Sequence, residues 1–220
     1  YLRALVRIGR EGTGVRTFFS GHTSIGEYPI LTYGNQEQKR RYLPAAAKGE
    51  KILAFGLTEP DAGSNPLEMT TTYERQGDHF LLNGVKYLIS NGGIANAVVC
   101  FGYPKGGKGR ISAFIVEKDA PGFSSAPKED KHGIRLSDTA ALFLDDVLVP
   151  VENLVGGVEG LGLVQAQHVF GYTRVMVAAF GLGCGCAAMS RAIQYSTQRI
   201  QGGSPLSEKQ GYTHKLVVPH

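Results

Sequence analysis

The stretch AFGLTEPDAGSN, Ala54 to Asn65, begins as a buried strand would, with Phe55 and Leu57 among small residues, and then turns abruptly polar. A turn accounts for Pro60, which presets φ, and for Gly63, which tolerates unusual backbone angles. It does not require a hydroxyl at Thr58, acids on both sides of the proline, or a second hydroxyl at Ser64. From the residues alone, Thr58 and Ser64 either cap the turn or meet a ligand.

Between Lys51 and Pro150, short stretches rich in apolar and β-branched residues recur between turn signals: HFLLNGVKYLIS (79–90), AVVCFGY (97–103), RISAFIVE (110–117) and AALFLDDVLVP (140–150). That spacing predicts an antiparallel sheet or barrel, with Asn83-Gly84 as the turn of a hairpin. Asp138, Asp145 and Asp146 read as residues that finish turns.

The flanks read as helical. Asn35 is placed to cap a helix with Glu37 in its first turn and Lys39, Arg40 and Arg41 further along, as the macrodipole favours, before Tyr42 and Leu43 lead into Pro44. From Leu161 to about Arg199 there is no proline, and apolar residues fall at helical intervals, which predicts one very long helix. Gly181, Gly183 and Gly185 weaken it locally and are expected where a neighbouring helix comes close. Arg174, among valines and alanines, reads as a buried arginine in need of a partner. The expected organisation is α+β: helices over 1–50, a central β domain over 51–155, and the first helices of a further bundle over 156–220.

The 220 residues, 42% of them hydrophobic, suffice for an ordinary packed core. No continuous run approaches the roughly 18 apolar residues of a membrane span, and Arg3, Arg7, Arg10 and Arg16 argue against a signal peptide. Cys100, Cys184 and Cys186 cannot all pair, and Cys184-Gly-Cys186 is too tight for an easy disulfide or a zinc hook, so reduced thiols and no metal site are expected. The net charge of +4 is mild and dispersed, which disfavours nucleic acid and suits a small phosphate-bearing ligand. Tyr1 enters a helical pattern without a cap, and YTHKLVVPH stops as another begins, leaving Leu216, Val217 and Val218 exposed. The chain is therefore expected to be incomplete at both ends.

With helices on both sides of a β segment, LTEPDAGSN resembles the flavin-binding signature of the acyl-CoA dehydrogenase family. LNGVKYLISNGG (82–93), GIRLSDTAALFLDDVLVPVENLVG (133–156) and FGYTR (170–174) follow in the family's order, and GNQEQKRRYLP precedes them. The resemblance covers nearly the whole chain. It implies an acyl-CoA dehydrogenase-like fold and FAD as cofactor, with Leu57 and Thr58 beside the flavin ring and Gly63 and Ser64 beside its pyrophosphate or the bound thioester. It implies a second flavin contact at Leu88, Ile89 and Ser90, where Leu88 departs from the family's usual aromatic residue. Arg199 and Gln210 match positions near the cofactor, Arg199 reaching across a subunit interface in the family, although Ile200 and Gly202 depart from the pattern beside it. Ser64, Ser137, Gly171, Tyr172, Thr173 and Arg174 match positions that line the acyl-CoA site; for Arg174 a structural carboxylate stays open as the partner.

The family oxidises an acyl-CoA thioester to a trans-2-enoyl-CoA: a glutamate removes the α-proton while the β-hydrogen leaves as hydride to the flavin. Neither of the family's two glutamate positions is filled here. One lies beyond His220, and the other is Thr173. The resemblance thus implies a dehydrogenase of fatty acid metabolism seen as an incomplete chain with no catalytic residue of its own. It further implies a homodimer or homotetramer, electron-transfer flavoprotein as acceptor, and a cytoplasmic or mitochondrial-matrix location. Three alternatives stay open: a flavin oxidase or monooxygenase on the same fold, a non-catalytic subunit of a mixed oligomer, and a plain lipid- or CoA-binding module.

Overall fold

The computed structural model describes residues 1–107 and 109–217, without the side chains of Thr13, Leu216 and Val217. The expected exposure of Leu216, Val217 and Val218 therefore falls outside the described residues. The chain divides into two units, Thr17–Val175 and a smaller one made of Tyr1–Arg16 with Met176–His220.

After α1 (Leu2–Glu11), the larger unit opens within α2 (Thr13–Ser20), followed by a π-helical turn, Gly21–Glu27, and helices α3 (Tyr28–Tyr33) and α4 (Gln36–Ala47). The expected cap on α4 is present as a full capping box. Asn35 Oδ1 accepts from the Gln38 amide at 2.9 Å, and Gln38 Oε1 accepts from the Asn35 amide at 3.0 Å. The helix runs through Pro44 to Ala47.

Seven strands follow: β1 (Leu53–Gly56), β2 (Thr72–Gln76), β3 (His79–Ser90), β4 (Ala97–Pro104), β5 (Ser112–Glu117), β6 (Phe123–Ser125) and β7 (Thr139–Pro150). They form one sheet in the order β1-β4-β2-β3-β7-β6, with β5 on β4 as well. The expected antiparallel sheet is mixed, because β4 pairs in parallel with β1 and with β2. Both partners use one edge of β4: Leu53–Gly56 lie along Ala97–Cys100, and Thr72 and Tyr73 rejoin it at Tyr103 and Pro104. Residues 57–71 are thus an excursion between two strands that share an edge, which is why the apolar run of β1 stops so abruptly.

Asn83-Gly84 is not a hairpin turn. β3 runs straight through it, and the chain reverses instead at Gly77-Asp78, between β2 and β3. The glycine serves a bulge: the register on β7 shifts between Leu82 and Gly84, and a Cβ at Gly84 (φ +153°) would sit 2.7 Å from Thr71 Cα. Asn83 faces Asp146 across this bulge, with Nδ2 donating to the Asp146 carboxylate at 2.8 Å and Oδ1 accepting from its amide at 2.9 Å. Asp145 and Asp146 therefore belong to the interior of β7 and finish no turn.

β1, β4 and β5 are buried on both faces, which explains their unbroken apolar sequences. One face packs Phe55, Val99, Phe101 and Ile115 against Ile30, Tyr42 and Val169 of the helices; the other packs Val98, Cys100 and Phe114 against Phe80, Leu82 and Leu142. Phe55 meets Phe101 and Phe170 at 4.8 and 5.6 Å between ring centroids. Each fully buried side chain of this size contributes about 1.5–3 kcal/mol.

The long helix is real: α5 spans Gly162–Gln198, 37 residues, and continues from the larger unit into the smaller. By length and composition it is apolar enough to cross a membrane, while the expectation that no continuous apolar run reaches that length stands. Glycines and isolated polar residues break every continuous apolar run in it, and the stretch emerges only once they are averaged over a helix. In the smaller unit α1 packs on α5. A Cβ at Gly183 would run into the Val6 carbonyl and one at Gly9 would lie 3.2 Å from the Phe180 carbonyl, while Gly181 and Gly185 face open space. The expected close approach thus holds for one glycine of three. Arg16 lies 3.5 Å over the Phe180 ring. Strands β8 (Ile200–Gln201) and β9 (Ser204–Pro205) form a hairpin, and α6 covers Gln210–Val217.

Candidate functional site

The polar half of the opening stretch begins where β1 ends. Leu57 is buried, Thr58 is half-buried, and Gly63 and Ser64 are exposed on the turn that follows. That turn is closed by reciprocal main-chain bonds between Glu59 and Ala62, at 3.0 and 3.2 Å. The Thr58 carbonyl accepts from the Tyr87 amide at 2.8 Å, which joins the excursion to the last residues of β3.

Those last residues are bent. The ladder on β7 shifts between Lys86 and Ile89, Leu88 takes φ +56° and Asn91 takes φ +62°. The bend turns the Leu88 side chain outward, 52% exposed, keeps Ile89 buried, and leaves Ser90 half-buried. Non-glycine residues in the left-handed region cost about 1–3 kcal/mol each and collect at binding and catalytic sites. Asn91 is fully buried, yet its Oδ1 has no partner among the described residues, while its Nδ2 donates to the Phe18 carbonyl at 3.0 Å.

Ser137 is joined to the same place. The Asn91 amide donates to the Asp138 carbonyl at 2.9 Å, and the Gly93 amide to the Asp138 carboxylate at 2.8 Å. Asp138 lies between the turn closed by the Ser137 amide on the Ile134 carbonyl, at 3.0 Å, and the start of β7, as expected of a residue that finishes a turn. Lys131 Nζ ties this loop down by donating to the Ser137 carbonyl at 2.6 Å and to Thr139 Oγ1 at 2.7 Å. Thr58, Leu88–Ser90 and Ser137 thus belong to one hydrogen-bonded assembly. Among the described residues, no intramolecular hydrogen bond takes up the hydroxyl of Thr58, Ser64 or Ser90. Turn capping is thereby removed as an account of Thr58 and Ser64, and the three hydroxyls are available as donors and acceptors.

The residues on α5 are placed differently. Gly171 is exposed, Thr173 is buried, and the Tyr172 ring stacks on Tyr28 with centroids 4.3 Å apart. Arg174 is exposed, which corrects the expectation of a buried arginine: it falls on the outward side of α5, where water solvates the guanidinium and no buried partner is needed. Arg199 and Gln210 belong to the smaller unit and are exposed; Arg199 Nη2 donates to Gln201 Oε1 at 3.2 Å, and Gln210 opens α6.

The residues that sequence reasoning missed lie beneath the site. Glu59 and Lys86 form a fully buried ion pair, Nζ to Oε1 2.7 Å, with side chains 2% and 0% exposed. Glu59 also accepts from the Thr70 amide at 2.6 Å, the Thr70 hydroxyl at 2.8 Å and the Thr71 amide at 3.1 Å. Burial pushes its carboxyl up, but the Lys86 ammonium and these donors outweigh burial and hold it at about 2. Burial lowers Lys86, against the pull of Glu59, and raises the neighbouring Cys100 thiol to about 12, so that this cysteine stays protonated and inert. The signal in the sequence was a lysine at an inward-facing position of β3, legible only once the bulge at Asn83-Gly84 is placed.

Three models of one family match the chain: acyl-CoA dehydrogenase N-terminal domain over residues 1–50, middle domain over 54–147, and C-terminal domain over 160–218, which takes in α5. An acyl-CoA dehydrogenase of Bacillus subtilis (strain 168) is 42% identical over 99% of this chain and 58% of its own length. The structure of butyryl-CoA dehydrogenase from Megasphaera elsdenii superposes with a TM-score of 0.95 at 38% identity, over 99% of this chain and 57% of that one. An acyl-CoA dehydrogenase from Bacillus anthracis, crystallised with FAD, superposes with a TM-score of 0.94 at 36% identity, over 99% of this chain and 37% of that one. The chain thus spans between 37% and 58% of the length of these relatives. Helices, mixed sheet and long helix, in that order, follow one family from end to end, and this chain belongs to the acyl-CoA dehydrogenases.

Proposed function

We propose that the chain is the flavin-binding part of an FAD-dependent acyl-CoA dehydrogenase that forms a trans-2-enoyl-CoA from an acyl-CoA thioester. The observation that carries this reading is that two unengaged hydroxyls, Thr58 and Ser90, stand on segments joined by the 2.8 Å bond from the Tyr87 amide to the Thr58 carbonyl. The donor set fits a flavin. Hydroxyls and main-chain amides suit the polar edge of its ring, and the exposed Gly63–Ser64 turn offers a hydroxyl and close backbone approach to a pyrophosphate. FAD, when bound, supplies the hydride acceptor.

The chain's own residues then have the following roles. Leu57, Thr58, Gly63, Ser64, Leu88, Ile89 and Ser90 hold the flavin, with the left-handed turn at Leu88 presenting an aliphatic face in place of an aromatic one. Ser64, Ser137, Gly171, Tyr172, Thr173 and Arg174 bind and orient the acyl-CoA, and the exposed Arg174 offers a cation to its anionic groups. Arg199 and Gln210 serve the cofactor as well, Arg199 from a neighbouring subunit. No residue of this chain is assigned as the base that takes the α-proton; a glutamate beyond His220 fills that role.

Further parts of the reading are a homodimer or homotetramer, electron-transfer flavoprotein as acceptor, and a cytoplasmic location. The division into 1–50, 51–155 and 156–220 is supported by the three domain models. The test is anaerobic addition of acyl-CoA thioesters of graded chain length to the flavin-loaded, full-length protein. Bleaching of the yellow flavin band is expected. A protein that takes up FAD but bleaches with no thioester sinks the dehydrogenase reading, and steady oxygen consumption with peroxide points to an oxidase.

A further inference from the structure

Glu59 and Lys86 each stand one position from the contact that joins the two hydroxyl-bearing segments: Glu59 follows Thr58, and Lys86 precedes Tyr87. The segments are therefore linked twice, through the 2.8 Å bond from the Tyr87 amide to the Thr58 carbonyl and through the 2.7 Å ion pair beside it. The same carboxylate takes the Thr70 and Thr71 amides, at the far end of the 57–71 excursion. One buried group thus fastens both ends of that excursion to each other and to β3.

A buried ion pair is a poor way to gain stability, because desolvating two charges cancels much of their attraction and a matched neutral pair is often as stable. What it supplies is direction. With four donors converging on Glu59, its carboxylate has one orientation that satisfies all of them. Lys86, whose stem passes 3.3 Å from where a Cβ of Gly56 would stand, makes its one hydrogen bond among the described residues to Glu59. Four residues further along β3, past the left-handed Leu88, comes Ser90.

We propose that the Glu59–Lys86 pair is a positioning device that fixes the spacing of the Thr58 and Ser90 hydroxyls, and so the geometry with which they grip a flavin. This rests on the flavin reading above. Neither side chain reaches the ligand, since both are buried beneath the segments they hold.

The test compares the flavin-loaded, full-length wild type with the double variant Glu59→Gln, Lys86→Met, which removes both charges and leaves neither unpaired. The double variant is expected to unfold at nearly the wild-type temperature, to bind FAD about tenfold more weakly, the cost of one or two misplaced hydrogen bonds, and to show an altered shape and position of the bound-flavin absorbance band. Wild-type affinity and an unchanged spectrum in the double variant overturn the proposal. Should that double variant fail to fold, Glu59→Gln, Lys86→Gln decides by the same two readouts, since it too removes both charges and keeps a side chain able to donate across the pair. A wild type that takes up no FAD overturns the flavin reading itself, and the positioning role with it.

Discussion

Thr58→Val removes one hydroxyl and keeps the shape of the side chain, which separates a ligand-facing role from a structural one. Among the described residues the Thr58 hydroxyl has no intramolecular partner, and the contact that anchors the segment uses the main-chain carbonyl, which valine retains. The same holds for Ser90→Ala, since the place of Ser90 opposite Thr139 on β7 is a main-chain matter. Each substitution should therefore change the stability of the flavin-free protein by no more than about 0.5 kcal/mol. Against FAD each removes one neutral hydrogen bond, about 0.5–1.5 kcal/mol, so the double variant should lose about 1–3 kcal/mol, or roughly five- to 150-fold in affinity. Urea unfolding of the flavin-free protein and titration with FAD, followed by quenching of flavin fluorescence, measure the two quantities separately. A stability loss above about 1 kcal/mol with unchanged FAD affinity would show the hydroxyls to be structural, and would refute the reasoning.

Acid should expose the Glu59 pair: its carboxyl is held at about 2 in the folded chain against an ordinary 4.5, so its contribution is whole above about pH 4.5 and lost as the pH falls toward 2. At about 1.4 kcal/mol per unit this is on the order of 3 kcal/mol, and acid titration of unfolding free energy should show that slope in the wild type and lose it in the Glu59→Gln, Lys86→Met variant. Gln38→Ala should destabilise by about 3–5 kcal/mol in urea unfolding, because it breaks the capping box and leaves carbonyls unpaired; Gln38 Nε2 donates to the Glu152 and Leu154 carbonyls at 2.7 Å each. Gly26→Ala should cost about 1–3 kcal/mol by overpacking, since the added Cβ would lie 2.7 Å from the Leu53 carbonyl carbon, whereas Gly171→Ala, in open space on a helix, should be neutral or stabilising in the same assay.

What the sequence made legible was local. The cap at Asn35 and the extent of α5 depend on residues within a few positions of each other, and both stand as read. Asn83-Gly84 misled because glycine's freedom serves close approach as well as turns, and only the position of Thr71, just before the neighbouring strand, distinguishes the two. The unengaged hydroxyls came from a family pattern, and the structure adds the bond between Thr58 and Tyr87 that joins them. The Glu59–Lys86 pair stayed hidden because it spans 27 positions and depends on a register that two irregularities in β3 decide. Arg174 was misjudged because a helix in sequence does not disclose which of its sides faces water.

The bend at Leu88 separates what folding demands from what a ligand meets. With its backbone in the left-handed region and its side chain turned outward, this position stands outside the two clusters of buried apolar residues that hold the sheet together. A side chain without branching at Cβ can replace leucine there with little further penalty in folding, because the left-handed backbone already carries that cost. Leucine at this position is thus one inexpensive choice among several, and the position gives selection or a protein engineer a dial for the surroundings of a bound ligand that turns without disturbing the scaffold.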